Sequence, residues 1–322
     1  MPVIESDFRP AWWLRGAHAQ TMYPHLFRRP PAVPWQPERL ELPDSDFVDL
    51  QWTGPDSQPL VCLFHGLEGS GESSYIGGLR HALSQAGLSS VLMQFRGCSG
   101  EPNRLARGYH SGDTGDIRAL VHMLRERFGQ RWLGAAGFSL GGNALLKYLG
   151  EEGDRSEFSS AVAVSVPFDL AQCADRLHSG LSRVYEHHLL RKLNRKVTQR
   201  AQLLDAAGVD TTHAAASRSF REFDGRVVAP LFGFTDADDY YTQSSCGPFL
   251  SAIERPTLII HAQDDPFMTP QSIPGPDALA QSVTLELSRQ GGHVGFVQGR
   301  GPGAAEYWID TRVPQWLTAA AG

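Results

Sequence analysis

Gly137-Phe138-Ser139-Leu140-Gly141 sets a serine among small residues, where the apolar run Trp132 to Phe138 meets a helical pattern starting at Leu140. A strand that turns sharply into a helix at such a pentapeptide pushes the serine hydroxyl into the open. That hydroxyl is a weak nucleophile until a base takes its proton, and the base must itself be oriented by a carboxylate. Both partners follow along the chain. Asp264 and Asp265 stand after the apolar run Thr257 to His261, and His293 lies in Gly291-Gly292-His293-Val294-Gly295 after the run Val283 to Leu287. Asp265 is preferred to Asp264 because Pro266 biases its predecessor toward extended backbone at the strand end. The expected triad is Ser139, Asp265 and His293, and its chemistry is acyl transfer through a serine ester.

A tetrahedral intermediate needs two fixed donors for its negative oxygen. His65-Gly66-Leu67-Glu68-Gly69 follows the apolar run Pro59 to Phe64, where a glycine-rich turn can aim a backbone amide at that oxygen. The expected oxyanion donors are the N–H groups of Leu67 and Leu140, and losing one such donor typically costs about 3 kcal/mol in the transition state. Singly, each feature has a bland reading: a turn serine, a carboxylate answering a basic neighbour, a loop histidine, a turn glycine. Their joint order and strand-end placement argue for the site, because groups at the carboxyl ends of parallel strands converge on one edge.

The elements that must position these groups alternate. Strand-like runs at 59–64, 90–95, 132–138, 161–166, 257–261 and 283–287 alternate with helical patterns at 75–86, 116–128, 140–149 and about 304–317, the signature of a mostly parallel sheet covered by helices on both faces. Asp113 or Thr114 is placed to cap the second helix, and Gly150 to end the third. Two short strands, 40–42 and 47–52, flank Pro43-Asp44-Ser45-Asp46 as a hairpin edge. Residues 1–38, with prolines at 30, 31, 34 and 37, form an arm on the main domain, 39–322. The alternation lapses between Phe168 and Arg255, so about 168–255 is an inserted helical cap. Leu177, Leu181, Val184, Tyr185, Leu189 and Leu193 recur at three- and four-residue steps, which predicts one amphipathic helix inside it. An insertion at this point lies over the strand ends. Phe168, Leu181 and Tyr185 are therefore the expected substrate contacts, with Leu177, Val184 and Phe249 completing an apolar roof over a short to medium acyl group.

Bulk composition narrows the function classes. The 322 residues carry 29 lysines and arginines against 35 aspartates and glutamates, a net charge of −6, which is the wrong electrostatic footprint for a nucleic-acid partner. No secretory pattern opens the chain, and no run of about eighteen apolar residues is present, so a cytoplasmic protein without membrane insertion is expected. Arg191, Lys192, Arg195, Lys196 and Arg200 leave room for weak contact with an anionic lipid surface. Cys62, Cys98, Cys173 and Cys246 lack the paired spacing of metal or redox motifs and read as reduced thiols. No metal and no cofactor is expected.

Longer stretches add a resemblance. Trp12-Trp13-Leu14 with Gly16, His18 and Gln20-Thr21, His65 to Gly69, Phe95-Arg96-Gly97-Cys98-Ser99-Gly100, Tyr109-His110-Ser111-Gly112-Asp113-Thr114, Gly137 to Asn143, Val166-Pro167-Phe168-Asp169-Leu170 and His261 to Pro266 resemble the YheT-like branch of the α/β-hydrolases, related to yeast medium-chain fatty-acid ethyl ester synthase/esterases. The resemblance implies the α/β-hydrolase fold with a helical cap, a serine triad and action on a small-molecule ester. It leaves open acyl transfer to an alcohol through the same acyl-enzyme, and a ligand-binding protein that retains the fold without catalysis. Residues 96–100 and 109–114 read physically as a turn and a capped helix start.

Overall fold

The computed structural model describes residues 2–321. Nine strands, β1 (Val3–Glu5), β2 (Gln36–Glu41), β3 (Phe47–Thr53), β4 (Leu60–Phe64), β5 (Ser89–Gln94), β6 (Leu133–Phe138), β7 (Ser160–Val164), β8 (Thr257–Ala262) and β9 (Val283–Ser288), build one sheet in the order β1-β9-β8-β7-β6-β4-β5-β3-β2. From β1 to β5 all pairs are parallel, while β2 and β3 add an antiparallel edge. The expected mostly parallel α/β architecture is present.

Strand periodicity explains why the central runs are mostly apolar. Every residue of β4, β5, β6, β7 and β8 is buried, because successive side chains point to opposite faces and both faces are covered. Leu60, Cys62, Phe64, Ala161, Ala163 and Ile259 pack with α3 (Gly115–Phe128) and α4 (Leu140–Glu152). The alternate set, Val61, Leu63, Val162, Val164, Leu258 and Ile260, packs with α2 (Ser74–Gln85) and a carboxyl-terminal helix, Trp308–Ala321.

Several boundaries differ from expectation for local reasons. Helix α4 runs through Gly150 to Glu152, and that glycine serves a close approach rather than a helix end: a Cβ there would lie 2.4 Å from the carbonyl oxygen of Phe249. Thr114 stands at the amino end of α3 without a side-chain cap bond, while Asp113 Oδ1 accepts the N–H of Gly115 at 3.2 Å. Residues 2–38 supply β1, which pairs with β9 at the sheet edge, a helix, α1 (Ala17–Phe27), which ends before the proline cluster, and the start of β2 at Gln36.

Between β7 and β8 the chain is helical, but the single amphipathic helix read from the leucine spacing is two. These are α5 (Leu170–Leu177) and α6 (Arg183–Gln199), separated at Gly180, whose φ of 54° breaks the helix. Their buried side chains, Leu170, Leu177, Leu190 and Val197 among them, form a third cluster with Phe220, Phe223, Tyr240 and Tyr241.

Candidate active site

Ser139 joins β6 to α4 with φ 51° and ψ −120°, a backbone state costing on the order of 1–3 kcal/mol that surrounding bonds must offset. Its N–H donates to Val164 O at 2.9 Å and its carbonyl accepts the N–H of Asn143 at 3.0 Å. The flanking residues have to be glycine. A Cβ at Gly137 would lie 2.5 Å from Gly141 O, and one at Gly141 would lie 2.5 Å from both Phe64 O and His65 O. Asn143, fully buried, ties the elbow helix to its surroundings by donating to Ser111 O and Ser244 O, both at 2.8 Å, and accepting the N–H of Cys246 at 2.9 Å.

Two further strand ends, those of β8 and β9, bring the next two groups to the serine. Ser139 Oγ lies 3.0 Å from His293 Nε2, and His293 Nδ1 lies 2.8 Å from Asp265 Oδ2. With Nδ1–H facing a carboxylate, Nε2 is free to accept the hydroxyl proton. The Asp265 side chain is 1% exposed and that of His293 9%, so water competes little for either. Asp265 Oδ1 accepts the N–H of Phe267 at 2.8 Å. Asp264 has another partner, the N–H of Gly292 at 3.0 Å, and burial pushes its acid up.

The glycines around His293 answer to α1. A Cβ at Gly292 would meet Ala17 O at 2.5 Å, and one at Gly295 would meet Gln20 O at 2.4 Å. Gln20, fully buried, clasps the Val297 peptide with its side-chain amide, and Thr21 Oγ1 accepts the N–H of His293 at 2.9 Å. The ring of Phe267 stacks on His293 with centroids 3.9 Å apart and planes 6° from parallel.

On the other side of Ser139 sits the 65–69 loop. Tyr75 OH accepts the N–H of Gly66 and Tyr109 OH that of Glu68, both at 2.9 Å. Leu67 N–H, between them, has no acceptor among the described residues, nor has Leu140 N–H at the first turn of α4. Burial raises the acid of both tyrosines, so their hydroxyls stay protonated. His65 anchors the loop from behind: Nε2 accepts the N–H of Phe95 at 3.1 Å and Nδ1–H donates to Gly66 O at 2.7 Å. Desolvation pushes this buried imidazole down to about 4, which keeps it neutral.

The three expected substrate contacts separate. Tyr185 reaches the site's border: its ring packs on Phe267 at 5.0 Å and its hydroxyl meets His18 Nδ1 at 3.0 Å. Phe168, 2% exposed with its ring on His261, presents no surface to a ligand. Leu181, 69% exposed, points away into solvent, as does Val184. Phe249 lies against α4 under Lys147 rather than over the strand ends. Leucine spacing reports a periodic stripe, not which side of it meets the core, and here the break at Gly180 turned part of the stripe outward.

A cavity of about 440 Å³ opens between the helical segment and residues 96–109, and its lining includes Glu68 and Tyr109 but neither Ser139 nor His293. On its walls Lys196 pairs with Glu68 at 2.7 Å, and Cys98 Sγ lies 3.7 Å from Lys196 Nζ. Burial pushes the Cys98 thiol up to about 11, so it carries no thiolate at neutral pH. With Arg200 donating to Leu105 O, two of the five clustered basic residues have partners outside residues 168–255. Among the described residues no helix is long and apolar enough to cross a membrane, and no group of three or more His, Cys, Asp or Glu is placed to hold a metal ion.

Sequence reading by residue type missed Thr21, Tyr75, Tyr109 and Phe267. Thr21 and Tyr109 did lie in the stretches that carry the family resemblance. Tyr75 and Phe267 had no signal beyond their own residue types.

A model of the α/β-hydrolase fold family matches residues 59–300 of the chain. "Putative esterase YheT" of Escherichia coli (strain K12) is 44% identical over 322 residues, covering 97% of this chain and 93% of its own. "Phospholipase ABHD3" of Homo sapiens is 29% identical over 329 residues, covering 99% and 80%. "Monoacylglycerol lipase" of Saccharomyces cerevisiae is 33% identical over 260 residues, covering 78% of this chain and 58% of its own length. Among solved structures, the esterase Pf2001 of Pyrococcus furiosus superposes with a TM-score of 0.58 at 15% identity, covering 91% of this chain and all of its own, a likeness of fold alone.

Proposed function

The chain belongs to the α/β-hydrolase family, in the branch that contains YheT, and from that premise we propose that it hydrolyses carboxylic esters through Ser139. One observation carries the reading: the hydrogen-bonded relay from Ser139 Oγ to His293 Nε2 and from His293 Nδ1 to Asp265, set at a strained elbow. Relatives named as an esterase, a phospholipase and a monoacylglycerol lipase support an ester as the bond attacked.

In this mechanism Ser139 Oγ attacks the acyl carbon while His293 Nε2 takes its proton, and Asp265 stabilises the imidazolium without accepting that proton. The oxyanion lies between the free N–H groups of Leu67 and Leu140. Collapse expels the alcohol, which receives the proton from Nε2–H. A water then attacks the acyl-enzyme with His293 as base, and the carboxylic acid departs. Residues 168–255 act as a cap over the strand ends, with residues 1–38 as an arm that braces the histidine loop. The acyl group is short to medium in length.

The test is a panel of nitrophenyl esters from acetate to palmitate run with the parent chain and Ser139→Ala, together with fluorophosphonate labelling. Hydrolysis lost in Ser139→Ala and a single label on Ser139 are expected. Turnover that survives the substitution, or a label elsewhere, would overturn the assignment. Products formed in the presence of ethanol would reveal transfer to an alcohol.

A further inference from the structure

Residues 96–109 are held far more firmly than a surface turn requires. Arg96, buried, makes a bidentate bond to Asp116 at 2.8 and 2.7 Å and a further one to Asp44 at 2.7 Å. Asn103, also buried, donates to Asp46 at 2.9 Å and to Phe47 O at 2.7 Å. Arg107 grips Asp113 through both carboxylate oxygens, at 3.0 and 2.9 Å. Burying this many polar groups is costly unless each is paired, and the pairing fixes one conformation of the segment.

That segment is one wall of the 440 Å³ cavity, contributing Gly97, Ala106 and Tyr109; Leu193, Val197 and Val228 come from the opposite, helical wall. The volume lies within the range of small-ligand sites. The cationic groups on the walls are already engaged: Lys196 with Glu68, Arg96 with Asp116 and Asp44, and Arg200 with backbone carbonyls. An anion would have to displace those partners, whereas an uncharged chain would not.

The cavity borders the site at the 65–69 loop, where Glu68, next to Leu67, lines it. Leu67, between the clamped peptides, and Phe267, stacked on His293, both pack against the cluster that contains Val197 and Val228. Apolar side chains in contact thus link the histidine's stacking partner and the oxyanion loop to the cavity walls.

We propose that this cavity takes the hydrocarbon chain of the ester's acyl group, and that Ala106 and Leu193, one from each wall, set the chain length accepted. The inference rests on the ester-hydrolysis reading above and gives residues 96–109 a role in specificity. Each methylene that enters raises the specificity constant roughly fourfold until the cavity is full.

Ala106→Trp and Leu193→Trp fill the cavity from opposite walls, and both positions are only partly buried, so a misfolded result at one leaves the other to report. Two readouts separate this inference from the one it rests on. Calorimetric titration of decanoate into Ser139→Ala is expected to show saturable binding, weakened at least tenfold when either tryptophan is added. In the active chain, the ratio of kcat/KM for nitrophenyl decanoate to that for acetate is expected to fall at least tenfold with either tryptophan, while Leu181→Trp on the outer surface leaves the ratio in place. The proposal is overturned if decanoate does not bind, if folded tryptophan variants keep the parent ratio, or if Leu181→Trp shifts it equally. Decanoate binding without any ester cleavage would retain the chain site and remove the hydrolase reading.

Discussion

Thr21, on the amino-terminal helix, accepts the backbone N–H of His293 through its hydroxyl at 2.9 Å. The two residues are separated by nearly the whole chain, yet this bond and the close approach of α1 to Gly292 and Gly295 hold the histidine loop against the arm. Thr21→Val keeps the side-chain shape and removes the acceptor. It is expected to lower kcat roughly tenfold, about the worth of one buried hydrogen bond, with little change in KM. Thr21→Ser should restore the rate, since the hydroxyl rather than the methyl does the positioning. A KM effect without a kcat effect would contradict this role.

Asp265 and Asp264 are adjacent but engage different groups. Asp265→Asn should lower kcat by about 10⁴, because the imidazole loses the partner that selects its tautomer. Asp264→Asn removes an acceptor for Gly292 N–H and should cost no more than about 10² through a looser loop. Steady-state kinetics of the two variants decide the order, and a larger loss at 264 would move the triad acid by one residue.

Tyr75 and Tyr109 orient Leu67 by holding the peptides on either side of it. Phenylalanine at either position leaves a loop N–H without its acceptor and should lower kcat/KM roughly 10- to 100-fold. Affinity for a trifluoromethyl ketone, which mimics the tetrahedral oxyanion, should fall in parallel. Weakened activity with undiminished ketone affinity would assign the tyrosines to folding alone.

His65, His110 and His261 are buried, and desolvation lowers each from 6.5 to about 4. Above pH 6.5 the group is neutral in both folded and unfolded chains. Between 6.5 and 4 the unfolded chain binds a proton that the folded chain refuses, so stability falls with pH, by about 3 kcal/mol per histidine once pH is below about 4. Asp224, buried and pushed up to about 7, works in the opposite direction, since its burial cost is relieved on acidification. His261→Leu isolates one histidine: neither ring nitrogen has a partner among the described residues. The variant should lie within about 2 kcal/mol of the parent at pH 7 and lose less between pH 7 and 4.5. Urea midpoints at the two pH values check this, and equal losses would refute it.

The sequence by itself determined where the sheet's central strands lie along the chain and the places where chemistry-bearing residues leave them, whereas their order across the sheet came from the structure. Parallel strands covered on both faces are rich in apolar residues, so β4, β6 and β8 stood out as runs and β9 as a strand alternating apolar with polar residues. Ser139, Asp265, His293 and the 65–69 loop could then be placed just beyond their ends. The glycines around Ser139 were legible too, because a sharp strand-to-helix turn admits little else. Tertiary structure alone decided what surrounds those groups. Periodicity shows that a helix has an apolar stripe but not which element covers it, so Phe168 was buried against His261 and Leu181 left in solvent, while the cavity formed beside residues 96–109. The arm's share in the site was hidden for the same reason. The bonds from Thr21 to His293 and from Tyr109 to Glu68 span 272 and 41 residues, and local residue pattern carries no record of a partner so far along the chain.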